Sequence, residues 1–437
     1  MTDPEGNRDG SGSVQQVSER GVHARPSGPT YRSALAIPEF AALFAARSFS
    51  DWGDQLARVA IAAFVLERSG SALFAAAVFA VSVLPTVFGQ ALLAPLADRF
   101  PRRTVMVVCD LLRALVVAVL VLAIVKDLPI WVMLVLLFTV ELVGAPFFGA
   151  SQALVTEMFE DGPLYLRARS LMQMFYQFNQ VAGVAIGGTV VVAMGVEQAL
   201  WLDAITFAVS GALIALFVCK RPAAASGGVP GVRELVRDVQ VGTAHLRQDP
   251  VLRALMLLAW LMLLAFIAPE AVALPYAQAH GGSTAAGGAL YAATPLGAFV
   301  SVVVVSRWPP QLQVRRMLTM ATCVPLPLLG LAFDPPWGVA AVLFFASGCC
   351  QGFMVSLMGT FARLAPATLR ARLIGLAGSG FALFSTVAFL LVGATADLTS
   401  PAFAVVLAAA LTMGALAWTW LHWPQRHLVQ AAEETYA

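Results

Sequence analysis

The feature that most constrains this chain is a series of twelve long, continuous apolar runs. Each run is long enough for an α-helix to cross a bilayer, which needs about 20 mainly apolar residues. A transmembrane β-barrel would instead alternate apolar and polar residues along each strand. We therefore predict an all-α integral membrane protein with twelve transmembrane helices. The runs span residues 40–66, 71–96, 104–125, 129–153, 166–194, 198–219, 252–278, 284–306, 316–333, 337–362, 372–396 and 401–423.

Composition supports a membrane protein and argues against the other broad classes. Of the 437 residues, 59% are hydrophobic and only 12% are charged, whereas a soluble domain carries about 25% charged residues. So few charges cannot cover the surface of a water-soluble enzyme. The basic residues are scattered between apolar runs, so we expect no nucleic-acid partner. The five cysteines lie in or beside apolar runs without zinc-ligand spacing, so we expect neither disulfides nor a metal site.

The placement of Lys and Arg predicts the orientation of the helices. If the N-terminus lies inside the cell, 22 of these residues fall in internal segments and only Arg68 and Lys126 fall in external loops. Such a bias towards the inside is the usual determinant of topology. We therefore predict an N-in/C-in arrangement, since an even number of helices returns the chain to its starting side.

A long polar segment divides the runs into six and six. Its residues 231–248 form an amphipathic pattern, which we interpret as a helix on the cytoplasmic membrane surface rather than as a regulatory domain. A basic turn follows the second run of each set, which predicts two parallel structural repeats. The predicted parts are a disordered cytoplasmic tail (1–36), an N-terminal six-helix bundle (37–219), a cytoplasmic linker (220–251), a C-terminal six-helix bundle (252–423) and a second cytoplasmic tail (424–437).

The turn after the second run carries a recognisable motif. It reads Ala94-Pro95-Leu96-Ala97-Asp98-Arg99-Phe100-Pro101-Arg102-Arg103. This string resembles the Gly-x-Leu-x-Asp-Arg-x-Gly-Arg-Arg signature of the major facilitator superfamily. The resemblance implies that superfamily's fold, with twelve helices in two six-helix pseudo-repeats. The alternative interpretation is an ordinary basic cytoplasmic loop.

The resemblance also implies a cytoplasmic gate. In the superfamily, the acidic residue of the motif holds the two halves together, and here that residue is Asp98. The facing segment would be the start of the eleventh helix. The gate residues implied in this way are Asp98, Arg99, Arg102, Arg103, Arg370 and Arg372.

Within the superfamily, the chain resembles the bacterial branch of macrolide-efflux and siderophore-exporter proteins, the latter including the enterobactin exporter type. Four segments carry this resemblance, at residues 47–55, 69–72, 110–114 and 202–207. The similarity covers nearly all of the apolar body and leaves out the tails. It implies a secondary transporter of the exporter class.

The first run contains four charged residues, although a charge at the centre of a transmembrane helix costs roughly 2.5–3.5 kcal/mol on insertion scales. Arg47, Asp51, Asp54 and Arg58 are spaced so that they share one helical face. Arg47 is expected to pair with Asp51, and Asp54 with Arg58, each one turn apart. The stripe is either a structural ladder of ion pairs or a cavity face that orients the substrate and takes part in proton coupling.

Two glutamates, Glu141 in the fourth run and Glu270 in the seventh, have no basic residue within four positions of their own helix. A lone carboxylate in a membrane suits a proton-binding site or a partner for a cationic substrate. The alternatives are a permanently protonated glutamate or a pair with an arginine of another helix. Asp110 and Arg113, by contrast, are expected to pair within the third run in a structural role.

Polar residues also follow one face of the fifth run. They are Gln173, Tyr176, Gln177 and Gln180. Their spacing places them on a single stripe of the helix. The stripe either lines the transport cavity or forms hydrogen bonds to neighbouring helices.

Taken with the resemblance, these patterns predict a secondary active transporter that exports a small amphiphilic molecule, such as a drug, an antibiotic or a siderophore. Proton antiport by alternating access is the predicted mechanism. The chain has no Gly-x-x-x-x-Gly-Lys-Ser/Thr string, so we expect no cofactor, with the proton gradient as the driving force.

The alternatives are a proton-coupled uptake symporter on the same fold and a non-transporting membrane sensor. An enzyme is not expected, because the five histidines lie in tails, loops or helix ends and form no cluster. The predicted partners are the small-molecule substrate and the lipid bilayer of the bacterial plasma membrane, in which we expect a multi-pass monomer.

Overall fold

The structure is a computed structural model that describes residues 30–85, 100–159, 162–221, 232–366 and 368–423. Throughout these residues the regular secondary structure is helical, and no strand occurs among them. The prediction of an all-α fold is therefore confirmed over the described part of the chain.

The helices of the N-terminal half follow the first six apolar runs, with one short helix before them. They are α1 (Tyr31–Leu35), α2 (Pro38–Ser69), α3 (Ala72–Val83), α4 (Arg102–Val125), α5 (Ile130–Phe159), α6 (Pro163–Met194) and α7 (Val196–Phe217). The second run continues past α3 into residues 86–99, which lie outside the described residues. Asp98 and Arg99 of the predicted gate are among them.

The C-terminal half begins with a linker helix, and three of its apolar runs are divided between successive helices. The helices are α8 (Val232–Gln248), α9 (Pro250–Leu261), α10 (Leu263–Ala279), α11 (Thr284–Val305), α12 (Pro310–Cys323), α13 (Pro325–Leu328), α14 (Trp337–Gly348), α15 (Phe353–Leu364), α16 (Arg370–Leu398) and α17 (Pro401–His422), with a 3₁₀ helix at Leu329–Phe333. Proline explains one division, because Pro325 starts a new helix directly after α12.

Nine stretches of the described residues are long and apolar enough to cross a membrane. Three of them join successive helices: α9 with α10 over Pro250–Ala279, α12 with α13 and the 3₁₀ helix over Gln311–Phe333, and α14 with α15 over Trp337–Leu364. Helix α2, with 32 residues, is also long enough to cross a membrane. It is not one of the nine apolar stretches because its middle contains charged residues. These stretches make the chain a multi-pass membrane protein.

The N-terminal half packs around α2. This helix lies against α6 and α7, while α4 lies against α5 and α7. The crossing of α2 and α7 is at Gly53, where an added methyl group would overlap Thr206 Oγ1 and Asp203 Oδ1. Glycine is required for so close an approach, because any other side chain would force the helices apart.

The two halves meet mainly along two helix pairs, α3 with α16 and α6 with α11, and α10 also contacts α2 and α3. A Cβ atom at Gly393 of α16 would lie 2.7 Å from Ala76 Cβ, and one at Gly188 of α6 would lie 3.0 Å from Gly288 Cα. Both contacts lie towards the end of the bundle where α3 begins and α16 ends. We name this the closed end.

We name the opposite end the open end, because residues on the facing sides of α6 and α11 are uncovered there. Met174 lies on the same face of α6 as Gly188, and Phe299 lies on the same face of α11 as Gly288. In each pair the residue spacing is close to a whole number of helical turns. Yet Met174 is 59% exposed and Phe299 is 53% exposed. The contact between α6 and α11 is therefore present at the closed end and does not cover these two residues at the open end.

The linker helix α8 is attached to the C-terminal half. Its Gly242 lies against Leu373 and Leu376 of α16, and its Leu246 is buried. The amphipathic pattern thus does form a helix, at Val232–Gln248. Its predicted position on the cytoplasmic membrane surface stays a prediction.

Candidate functional site

Three arginines inside the bundle each pair with a different carboxylate, and all six groups belong to the N-terminal half. The pairs join Arg47 to Asp51 (3.6 Å), Arg113 to Asp54 (2.5 Å) and Arg58 to Glu141 (3.0 Å). None of the six side chains is more than 22% exposed. Pairing offsets part of the large cost of placing a charge away from water.

Arg113 of α4 forms the most enclosed of these pairs. Its Nη2 donates to both oxygens of Asp54, at 2.5 and 2.7 Å, and its Nη1 donates to Ser50 Oγ at 3.0 Å. The guanidinium also lies 4.0 Å from the centre of the Phe207 ring. The predicted pair of Arg113 with Asp110 is therefore wrong, because a carboxylate on the facing helix can accept two bonds from one guanidinium nitrogen.

Arg58 of α2 reaches across to α5 rather than along its own helix. Its Nε donates to Glu141 Oε1 at 3.0 Å, and its Nη1 donates to Gln55 Oε1 at 3.1 Å. The predicted pair of Asp54 with Arg58 is thus wrong, since Asp54 is held by Arg113. Of the alternatives left open for Glu141, the structure shows the pair with an arginine of another helix.

Arg47 forms the within-helix pair that the spacing predicts. It lies 3.6 Å from Asp51, and it also donates to Ser151 Oγ on α5 at 2.7 Å. Its guanidinium lies 4.4 Å from the centre of the Phe148 ring. The charged face of α2 therefore points at α4 and α5.

Glu270 differs from the carboxylates of the N-terminal half. It lies on α10, is partly accessible, and lies close to the hydroxyl of Tyr291 on α11. Among the described residues it forms no ion pair. Arg58 of the other half is near enough to interact with it electrostatically. Glu270 therefore lies where the two halves face each other.

Tyr291, which lies close to Glu270, belongs to a stack of three aromatic rings. The Tyr291 ring stacks on Phe79 of α3 at 5.0 Å between ring centres, and Phe79 stacks on Phe389 of α16 at 5.6 Å. Phe79 and Phe389 are buried. The stack joins α3 of one half to α11 and α16 of the other.

Two further carboxylates lie inside the N-terminal half without an ion pair to any described residue. Asp110 is fully buried beside Gly211 of α7, and Asp203 is buried against Gly53 of α2. The sequence does not predict that Asp203 of α7 contacts α2 at Gly53, because the two residues are about 150 positions apart and helical periodicity relates only residues of one helix. An unpaired carboxylate in this setting is costly unless it carries a proton.

The described residues of the predicted gate lie at the open end. Arg102 pairs with Glu157, and Arg103 donates to the Ala215 carbonyl oxygen. These contacts stay within the N-terminal half. Arg370 and Arg372, at the start of α16, are exposed, and Arg370 donates to the Ala365 carbonyl oxygen at 3.4 Å. With Asp98 and Arg99 outside the described residues, the gate stays a prediction.

A second contact at the open end links α2 to the segment after α7. Arg221 donates to the two oxygens of Glu39 at 2.5 and 2.8 Å. This hydrogen bond raises the pKa of the Arg221 guanidinium. The contact fixes the start of α2, and it was not predicted from the sequence.

The polar stripe of α6 is partly described. Gln173 is exposed and Tyr176 is half-buried, and Tyr176 interacts electrostatically with Arg58. The side chains of Gln177 and Gln180 lie outside the described residues. A neighbour that the sequence analysis missed, Asn179, is buried and donates to the Ser48 carbonyl oxygen at 3.3 Å. Cavity lining therefore stays a prediction for this stripe.

Comparison with known proteins identifies the family. The Major Facilitator Superfamily matches residues 43–362, and this chain belongs to it. The protein is therefore a membrane transporter and not an enzyme, and the resemblance noted in the sequence is confirmed.

Several relatives have names that describe transport. The chain is 29% identical over 224 residues to the MFS-type transporter YkuC of Bacillus subtilis, covering 50% of this chain and 51% of that protein. It is 27% identical over 382 residues to the multidrug efflux pump Tap of Mycolicibacterium fortuitum, covering 84% and 90%. It is 23% identical over 222 residues to macrolide efflux protein A of Streptococcus pyogenes, covering 50% and 54%. Two of these matches thus span only about half of the relative.

Solved structures show the same fold. The nucleoside transporter NupG matches with a TM-score of 0.65 and 13% sequence identity, covering 89% of this chain and 99% of that one. At this identity the likeness concerns the fold alone.

Proposed function

We propose that the protein exports a small amphiphilic molecule across the bacterial plasma membrane in exchange for protons. The relatives named as a multidrug efflux pump and as a macrolide efflux protein support export of a drug-like compound. Their bacterial sources support the bacterial membrane. Alternating access of a central site between two halves is the mechanism that a helical transporter of this kind uses.

The proposed architecture has twelve transmembrane helices in two six-helix bundles, over 37–219 and 252–423, with both termini in the cytoplasm. Nine of these helices are the nine apolar stretches described above. The other three are α2, the second apolar run, which begins with α3, and α6. The excess of Lys and Arg in the internal segments supports the orientation. The open end then faces the cytoplasm, as an exporter requires when it takes up its cargo.

The observation that carries proton coupling is the position of Glu270. A proton-carrying group must be reached by water from each side in turn, and it must lie where the halves move against each other. Asp110 and Asp203 are fully buried within one half, whereas Glu270 is partly accessible at the junction. Glu141 already has its charge balanced by Arg58.

A flux assay tests the proposal. The purified protein is reconstituted in vesicles with an imposed pH gradient, and transport of Hoechst 33342, ethidium and erythromycin is followed. We expect gradient-driven transport of at least one of them by the parent protein. Glu270→Gln is expected to lose the response to the gradient while downhill exchange continues, because the amide cannot carry a proton.

The matched control is Asp110→Asn, which neutralises an unpaired carboxylate that lies inside one half. It is expected to keep gradient-driven transport. Unchanged coupling in Glu270→Gln would remove Glu270 as the proton carrier. Movement of cargo in the same direction as protons would favour the uptake symporter, and ligand binding without flux would favour the sensor.

A further inference from the structure

Asp397, at the last turn of α16, bonds to the first turn of α3 in the other half. Its Oδ1 accepts from the Ala72 backbone N–H at 2.5 Å. Its Oδ2 accepts from the Ser71 hydroxyl at 2.5 Å and from the Leu73 N–H at 3.2 Å. One carboxylate therefore receives three polar contacts across the junction of the halves.

These contacts have a clear physical origin. The first N–H groups of a helix have no partner within the helix, and the aligned peptide dipoles make that end partly positive. Ser71 caps α3 only in part, by accepting from the Phe74 N–H at 3.2 Å. The carboxylate of Asp397 supplies both the missing acceptors and the complementary charge, although it belongs to a helix more than 300 positions away.

The packing beneath Asp397 depends on the same two helices being in contact. Gly393, one turn below Asp397, lies against Leu73 and Ala76, and the Thr386 hydroxyl lies 3.4 Å from the Ala80 carbonyl oxygen. A cavity of about 410 Å³ borders the Asp397 contact and is lined in part by Gly70, Pro275 and Gln278. Water in this cavity can solvate both partners once they separate.

We propose that Asp397 is the positioning residue that holds the closed end shut, so that its bonds to α3 set the balance between the two states of the transporter. Opening of the closed end has to break all three contacts together, whereas movement at the open end leaves them intact. The inference rests on the alternating access proposed above, but not on the direction of transport, the cargo or the role of Glu270.

The test measures the separation of the halves directly. Spin labels are placed at Lys126→Cys and Phe333→Cys, which are exposed at the closed end on opposite halves, after the five native cysteines are replaced. The distance distribution is recorded in the full chain without cargo or a pH gradient. It is compared for the parent, Asp397→Asn and Asp397→Ala.

We expect Asp397→Ala to raise the ratio of separated to closed molecules about tenfold, the effect typical of losing a charged helix cap. Asp397→Asn is expected to shift it less, because the amide oxygen can still accept one bond. The matched control is Asp334→Asn, which neutralises a closed-end carboxylate whose Oδ1 lies 3.2 Å from His280 Nε2 within one half. It is expected to leave the distances unchanged.

Equal distance distributions in the parent, Asp397→Asn and Asp397→Ala would overturn the proposal. If Asp397→Ala does not fold, Ser71→Ala removes one contact and is expected to give a smaller shift of the same sign. A disulfide between Ser71→Cys and Asp397→Cys is expected to stop transport until a reductant is added. Shifted distances together with failed dye flux would refute the proposed function but not the role of Asp397.

Discussion

Arg58 shows how a side chain inside the membrane selects its partner. Asp54 is one turn away on the same helix, yet the guanidinium bonds to Glu141 of α5 and to Gln55. Asp54 is bound instead by Arg113 of α4. In both cases an ion pair between two helices replaces the pair that was predicted within one helix. The same charges therefore also hold neighbouring helices together.

At this scale we predict that Glu141→Gln destabilises the protein. Removing one partner of a buried ion pair leaves the other charge uncompensated, which costs about 3–5 kcal/mol. Thermal unfolding of the purified protein in detergent measures the effect. The double variant Glu141→Gln with Arg58→Gln is expected to recover part of the loss, because neither charge then remains.

A stable Glu141→Gln protein that has lost only its response to the pH gradient would contradict this structural role. Glu141 would then be a proton carrier in its own right. The two outcomes differ in the melting temperature, which a purely proton-coupling residue leaves unchanged.

The sequence predicts which residues carry charge in the membrane, but not which of them meet. Helical periodicity places Arg47 one turn from Asp51, and that pair is found. It gives no information on Arg113 and Asp54, or on Glu270 and Tyr291, because those contacts depend on how separate helices pack. Residues on other helices were therefore missed or paired wrongly.

Helices α2 and α7 illustrate the same limit for whole elements. The first run, 40–66, corresponds to Pro38–Ser69, and the last run, 401–423, corresponds to Pro401–His422. Apolar length alone thus predicts where helices lie. It does not predict that α2 and α7 cross at Gly53, since the reason for this glycine is the approach of Thr206 and Asp203.

We predict that Gly53→Ala lowers the stability of the protein by about 1–3 kcal/mol, because the added methyl group overfills the crossing of α2 and α7. The matched control is Gly149→Ala on α5, where a Cβ atom would meet nothing within 4 Å. That change is expected to be neutral or to stabilise by about 0.5–1 kcal/mol, since alanine favours a helix. Melting temperatures in detergent compare the two.

Equal destabilisation by the two alanines would show that the close approach of α2 and α7 is not what makes Gly53 sensitive to an added side chain. A loss confined to Gly53→Ala would instead support the close approach of the two helices as the reason for this residue.

On the scale of the whole molecule the two halves are built differently. The three ion pairs lie in the N-terminal half, whereas the described part of the C-terminal half contributes Glu270 to the site. Three prolines lie inside helices of the described C-terminal half, Pro269 and Pro275 in α10 and Pro295 in α11, whereas the described N-terminal helices have one internal proline, Pro146 of α5. The aromatic stack of Tyr291, Phe79 and Phe389 connects these two unlike parts.

We predict that Phe79→Ala makes the closed end leak. Phe79 is the middle ring of the stack, so its removal opens space between α3, α11 and α16. Proton entry into reconstituted vesicles, followed with an internal pH dye and no cargo, is expected to rise severalfold. Phe74→Ala is the control, since Phe74 lies on the same helix but is 43% exposed.

No increase in proton entry would show that contacts other than the aromatic stack seal the closed end. The bonds of Asp397 and the contact of Gly188 with Gly288 would then be sufficient for the seal.

The three ion pairs of the N-terminal half have a consequence for the evolution of this chain. A lineage that loses Arg58 is left with Glu141 uncompensated, so the two positions are expected to change together, as are Arg113 and Asp54. Glu270 has no such counterpart among the described residues and is free to vary alone. Diversification to a different driving ion should therefore begin in the C-terminal half, while the paired charges of the N-terminal half drift only in matched steps.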